Sequence, residues 1–142
     1  MLQAMNTGHE GSMSTVHANT PADAISRLET MVLMGGTDLP SRAILKQIAS
    51  AIDIIVQVSR MRGGDRKIVS IAEVAGLADG EVQLHELFEF RQVGVTADGR
   101  PRGFHRATGN TSLHLEHFAA SGEPLPEDLF VSTAAPPQGV LQ

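Results

Sequence analysis

No cysteine, tryptophan or tyrosine occurs in the 142 residues. Without cysteine there is no disulfide, no thiolate ligand for zinc and no thiol nucleophile. A reducing compartment is permitted by that absence and not proved by it. Aromatic residues amount to 4% against an apolar content of 42%, so any core is aliphatic. Ala, Ile, Leu, Val and Met fill the layers of an α/β protein well, and the length suffices for one domain. No stretch approaches the ~20 apolar residues needed to span a bilayer. Met1-Leu2-Gln3-Ala4-Met5-Asn6 lacks a basic region followed by an apolar run and is not a secretory signal. The default expectation is a soluble cytoplasmic protein. The net charge of −5 argues against broad, non-specific binding to nucleic acid, and no nucleic-acid partner is expected.

What is present is concentrated near the start. Thr7-Gly8-His9-Glu10-Gly11-Ser12-Met13-Ser14-Thr15-Val16-His17-Ala18-Asn19 crowds glycines, hydroxyls and two imidazoles into one segment. Such a loop can offer backbone N–H groups, hydroxyls and a titratable ring to one anion. The same residues also build ordinary loops and helix caps.

The periodicity predicts a mixed succession of elements. Residues 2–6 read as the last turn of a helix capped by Gly8, and residues 13–17 as a short strand. Thr20-Pro21 is a helix start, with Ile25, Leu28, Met31 and Val32 at helical spacing and Gly35-Gly36 as the stop. A second helix begins at Leu39-Pro40-Ser41 and carries Ile44, Ile48, Ala51 and Ile52 on one face. Ile54-Ile55-Val56-Gln57-Val58 is a β-branched run expected as a buried strand. Turns at Gly63-Gly64-Asp65, Asp79-Gly80 and Asp98-Gly99 divide residues 54 to about 106 into an antiparallel meander. Lys67–Val74 is one of its strands, and Val82, Leu84, Phe88 and Phe90 mark a face of the next. Leu113–Ala120 reads as a short helix with Leu113, Phe118 and Leu115 inward. Residues 131–142, with Pro136-Pro137, read as a disordered tail after a single region spanning 1–130.

The order of residues in the first segment carries a resemblance. Gly8, His9, Gly11, Ser12, Thr15, His17 and Ala18 match G-H-x-G-S-x-x-T-x-H-A, the histidine box of the type II/IV secretion ATPases. Asp23–Met31 resembles the helix after the box, Gln47–Gln57 the next helix-to-strand passage, and Ile71-Ala72-Glu73-Val74 the I-x-E-V strand. Leu125-Pro126 and Leu129-Phe130 resemble a weaker terminal signature. The branch it resembles most is the tight-adherence (Tad/Flp) pilus ATPases; the Gly11-Ser12 pair and the spacing from Gly8 to His17 fit that branch and the conjugation-type ATPases, and fit the classical type II secretion ATPases less well.

The resemblance implies an α/β fold: the C-terminal part of a RecA-like P-loop ATPase domain, with an antiparallel meander and a short C-terminal helix. Strands near 13–17 and 54–58 would belong to its parallel core. It implies a hexamer that couples hydrolysis of ATP with Mg2+ to pilus assembly or secretion. Its partners would be identical subunits and an inner-membrane platform protein. His17 would lie at the terminal phosphate as the catalytic or sensing residue. Ser12 and Thr15 would be supporting donors, His9 would orient the loop, and Arg27 would meet a carboxylate in the same chain or in a neighbour. Met1 falls where the family often has an internal methionine, so the chain is expected to be the later part of a longer protein.

A P-loop requires G-x-x-x-x-G-K-[ST], and no Gly-Lys pair occurs in this sequence. No strand before the box ends in a Walker B acid. ATP turnover is therefore not expected of the chain alone, nor is a bound cofactor. A non-enzymatic interaction module, or a remnant that keeps packing surfaces, is the alternative. His114 and His117 could supply two zinc ligands, but no third converges with them. His9-Glu10 is not a zinc-protease motif, since Met13 stands where the second histidine would be. No metal site is expected. Arg60, Arg62, Arg66 and Lys67 read as solvated strand ends, with a subunit contact as the other reading.

Overall fold

The computed structural model describes residues 11–36 and 38–132. The helical turn expected at 2–6, its Gly8 cap, and the tail beyond residue 132 lie outside the described residues. The chain divides into two compact units, Met1–Ile55 with Val74–Leu84, and Val56–Glu73 with His85–Gln142.

In the first unit, helix α1 runs Pro21–Met34 and helix α2 runs Ser41–Ala51. Helix α1 starts where the sequence says it should. Thr20 is extended and its hydroxyl accepts from the Asp23 N–H at 3.1 Å, while Pro21 occupies a position that has no need of a donor. Ile44 and Ile48, one turn apart on α2, are completely buried against Ile25 and Leu28 of α1. Val82 and Leu84 pack against the same cluster. The Ser41 hydroxyl donates to Glu29, tying the start of α2 to α1. Met31, expected inward, is exposed, because the inward stripe of α1 is filled by Ala24, Ile25 and Leu28.

Four strands follow: β1 Ile54–Arg60, β2 Arg66–Ala78, β3 Glu81–Val95 and β4 Pro101–Ala107. They form one sheet in the order β1-β2-β3-β4, the expected meander. Asp79 and Gly80 have φ of 53° and 84°, the two positive values that a type I′ hairpin turn demands. Strands β3 and β4 pair antiparallel, with Phe88 opposite Ala107 and Phe90 opposite His105.

Three expectations need correction. Residues 13–17 form no strand: they join no ladder among the described residues, and a strand exists only in a ladder. Residues 54–58 are not a buried strand of a parallel core. Strand β1 is an edge of the meander, and its alternation leaves Ile54, Val56 and Val58 exposed, Val56 by 50%. The tight connection through 61–65, closed by the Met61 N–H on the Asp65 carbonyl, permits only antiparallel return. Leu113 is exposed and the last helix, α3, covers only Leu115–Ala120. The preceding residues are held instead by a buried carboxylate, described below.

In the second unit, Ala72, Leu87, Phe104, Ala107 and Phe130 are buried. The Phe130 ring lies 5.7 Å from that of Phe88, so residues after α3 return to the sheet. Arg106 pairs with Glu89 at 2.5 Å where both are half-buried. At the β3–β4 turn, the Thr96 hydroxyl, a backbone hydrogen bond and the Arg100 guanidinium hold the Asp98 carboxyl below its ordinary value. That stabilisation is present above the ordinary carboxylate pKa and fades as pH falls through the lowered one.

Gly103 is required by close approach. A Cβ there would sit 2.6 Å from the Phe90 ring and press on the Arg91 carbonyl across the ladder. Gly103→Ala is expected to cost about 1–3 kcal/mol through overpacking. Urea unfolding of the variant beside the parent measures it.

Candidate functional site

The segment from Gly11 to Asn19 leads directly into the capped start of α1. His17 lies three residues before the Thr20 cap and is exposed. Beside it, Asp23, Ser26, Arg27 and Thr30 recur at helical spacing along one side of α1. Together with Asn19 these residues line a groove of about 740 Å³ within the first unit. The local sequence explains the arrangement: the cap fixes where the helix begins, and the helical period then aligns the polar residues on the side opposite Ala24, Ile25 and Leu28.

The groove's hydroxyls are occupied. Ser26 donates to the Ala22 carbonyl at 3.3 Å and Thr30 to the Ser26 carbonyl at 2.9 Å. His17 and Arg27 are not so occupied among the described residues. The groove therefore offers one imidazole and one guanidinium to an anion, with the Asp23 carboxylate as the opposing charge. This donor set fits a peripheral contact to a phosphate. It does not form a phosphate cradle, which needs successive backbone N–H groups and a lysine.

The other site candidates are distributed differently. Ser12 and Thr15 are exposed on the segment before α1 and do not line the groove. His9 lies outside the described residues. His114 and His117 flank the first turn of α3, the former with a buried Nε2 that has no hydrogen-bond partner. Among the described residues, no three His, Cys, Asp or Glu side chains come together to hold a metal ion.

One polar centre escaped sequence reasoning. Glu73 of β2 is 1% exposed, and its carboxylate accepts from the Ser112 hydroxyl and, at 2.8 Å, from the Leu113 N–H. Ser112 in turn accepts from the His114 N–H at 3.1 Å. The carboxylate thus anchors the approach to α3 on the sheet. The available signal was an acid between the apolar residues of Ile71-Ala72-Glu73-Val74. A charge in such a run must be paired or hydrogen-bonded once buried.

The sequence profile described as Type II/IV secretion system protein matches residues 1–106. The chain belongs to this family. That match takes in the groove, helices α1 and α2 and the sheet up to β4. Relatives that match the chain include proteins named for conjugal transfer and for type IV secretion. A Mycobacterium tuberculosis protein named for conjugal transfer is 42% identical over 83 residues, 58% of this chain and 23% of its own length. The conjugal transfer protein TrbB of Rhizobium radiobacter is 31% identical over 83 residues, 58% of this chain and 24% of the relative. The type IV secretion system protein VirB11 of Bartonella quintana is 42% identical over 67 residues, 44% of this chain and 18% of the relative. This family member thus spans about a quarter or less of these relatives. No helix among its described residues is long and apolar enough to cross a membrane.

Proposed function

We propose that this chain is the later part of a RecA-like, hexameric secretion ATPase, in which His17 lies at the terminal phosphate of ATP. One observation carries the reading: His17 and Arg27 line the same groove, inside the region matched by the family profile. An imidazole near the terminal phosphate can accept a water hydrogen when neutral or donate to phosphate when protonated. Arg27 adds a fixed positive charge, either to the same phosphate or to a carboxylate of a neighbouring subunit. Ser12, Thr15 and His9 are proposed to shape the loop that delivers His17. ATP and Mg2+ would be held chiefly by groups outside these 142 residues, which contain no G-x-x-x-x-G-K-[ST]. Bound there, the nucleotide and metal supply the phosphoryl group and its charge neutralisation. The work so driven is proposed to be pilus assembly or secretion of the tight-adherence type, in the cytoplasm, against an inner-membrane platform protein.

A conjugal-transfer role is the second reading, favoured by the names of the relatives. An interaction module without nucleotide chemistry is the third. Turnover assays separate an enzyme from a module. The 142-residue chain alone is expected to show no measurable MgATP hydrolysis. A longer gene product carrying an in-frame phosphate-binding loop should hydrolyse ATP and assemble as a hexamer. A folded longer product with that loop intact and no turnover would overturn the enzymatic reading.

A further inference from the structure

Charge is distributed unevenly over the second unit. Residues 60–67 and 91–102 hold seven of the eleven Lys and Arg residues and only two acids, a local charge of +5 in a protein of net charge −5. These segments form the β1–β2 and β3–β4 turns and the strand ends beside them. The two turns touch: Arg100 reaches Asp65 at 3.8 Å and also pairs with Asp98 at 3.0 Å, so the two acids share one arginine. Arg60, Arg62, Arg66, Arg91 and Arg102 are exposed, and among the described residues none has a carboxylate partner. After β4 the sign reverses. Residues 107–132 contain Glu116, Glu123, Glu127 and Asp128 and no Lys or Arg. All four acids are exposed, and none forms an ion pair among the described residues. This acidic segment is anchored at both limits. The Thr108 N–H donates to the Leu87 carbonyl at 2.9 Å, Ser112 and Leu113 donate to Glu73, and Phe130 packs on Phe88. Leu87 and Phe88 stand seven or eight residues along β3 from Val95 at the basic end, roughly 20 Å or more at the rise of a strand. No ion pair joins the two patches within one molecule.

We infer that the two patches are the two halves of one contact between copies of this chain, the basic end of one copy against the acidic segment of the next. The partner is thus a second copy, selected by charge: unpaired guanidinium groups on one patch meet unpaired carboxylates on the other, in the bidentate geometry that suits this pair. Like ends repel, so the orientation is head to tail. Each patch also carries exposed aliphatic side chains, Val93 and Val95 on the basic one and Leu113, Leu129 and Val131 on the acidic one. These allow the contact to exclude water around its ion pairs, as the centre of an interface does. The anchors on Glu73 and Phe88 hold the acidic segment in place beforehand, which reduces the ordering cost of association. A contact between two different patches repeats from copy to copy, and forms a ring where the rotation closes and a filament where it does not. It uses no residue of the groove around His17.

Sedimentation velocity of the 142-residue chain without nucleotide tests this, and its outcome is independent of whether ATP binds near His17. The parent should self-associate reversibly over roughly 1–100 μM, the range of a modest interface. Raising NaCl to ~0.5 M should weaken the association, because the screening length falls to a few ångströms. Arg62→Glu with Arg102→Glu, and separately Glu123→Arg with Glu127→Arg, should each weaken it about tenfold or more, since like charges then face each other. Placing all four substitutions in one chain, or mixing the two double variants, puts opposite charges across the contact again and should restore association. Arg42→Glu with Lys46→Glu, on α2 of the first unit, changes the net charge as much as the first pair and should leave association unchanged. Circular dichroism melts should show every variant folded. A parent that stays monomeric, or a four-substitution chain no better than the double variants, would overturn the inference. So would a loss confined to the arginine pair, because the basic end would then face a partner other than the acidic segment.

Discussion

In a longer chain that carries the phosphate-binding loop, His17→Ala is expected to lower ATP turnover by about 10²-fold or more. Nucleotide affinity should change little, because most binding energy lies in that loop. The structural reason is the position of His17 in the lining of the groove: it is exposed, precedes the α1 cap and packs in no core. Removing an exposed ring leaves no cavity, so the melting temperature should hold. If His17 instead organised the segment before α1, melting temperature and affinity would fall together. Turnover, affinity and melting temperature measured on one preparation distinguish the two. Unchanged turnover in a folded His17→Ala variant would end the assignment.

Glu73→Ala should produce the largest loss of stability. Its carboxylate accepts two hydrogen bonds in a site from which water is excluded. Hydrogen bonds to a charged group are each worth about 1.5–3 kcal/mol, so the loss is expected near 3–5 kcal/mol. That is a large part of the roughly 5–15 kcal/mol that keeps a domain folded. Ser112→Ala removes one donor and should cost less, about 1–3 kcal/mol, because the Leu113 bond survives. Chemical denaturation gives both values. A Glu73→Ala variant as stable as the parent would mean that the approach to α3 is held by other contacts.

The parts of the fold that sequence revealed are those fixed by short-range chemistry. Thr20-Pro21 could only start a helix, Ile44 and Ile48 one turn apart required a buried face, and Asp79-Gly80 needed two positive φ angles. The errors concern long-range placement. The run Ile54–Val58 has the composition of a buried strand, yet burial depends on neighbours on both sides, and β1 has β2 on one side alone among the described residues. Residues 13–17 have strand-like alternation without a ladder to join. Glu73 was legible as a strand residue of a family motif, but its partners at Ser112 and Leu113 are 39 and 40 positions away, beyond any local pattern. For the candidate site, the order of residues pointed to His17, and helical spacing explains why Arg27 shares its groove.

The strict order β1-β2-β3-β4 has a kinetic meaning. Every strand pairs with its neighbour in sequence, and the connections are no longer than the segments 61–65, 79–80 and 96–100. Hairpins of this kind close in roughly 1–10 μs, since little chain entropy separates the partners. A sheet assembled from such steps has low contact order, which favours rapid folding over prolonged exposure of unpaired strands. The bond from Ser112 back to Glu73 spans 39 residues and belongs to a slower class of event. It has its acceptor only once β2 is in place, so the meander is the template and the segment before α3 is what it captures.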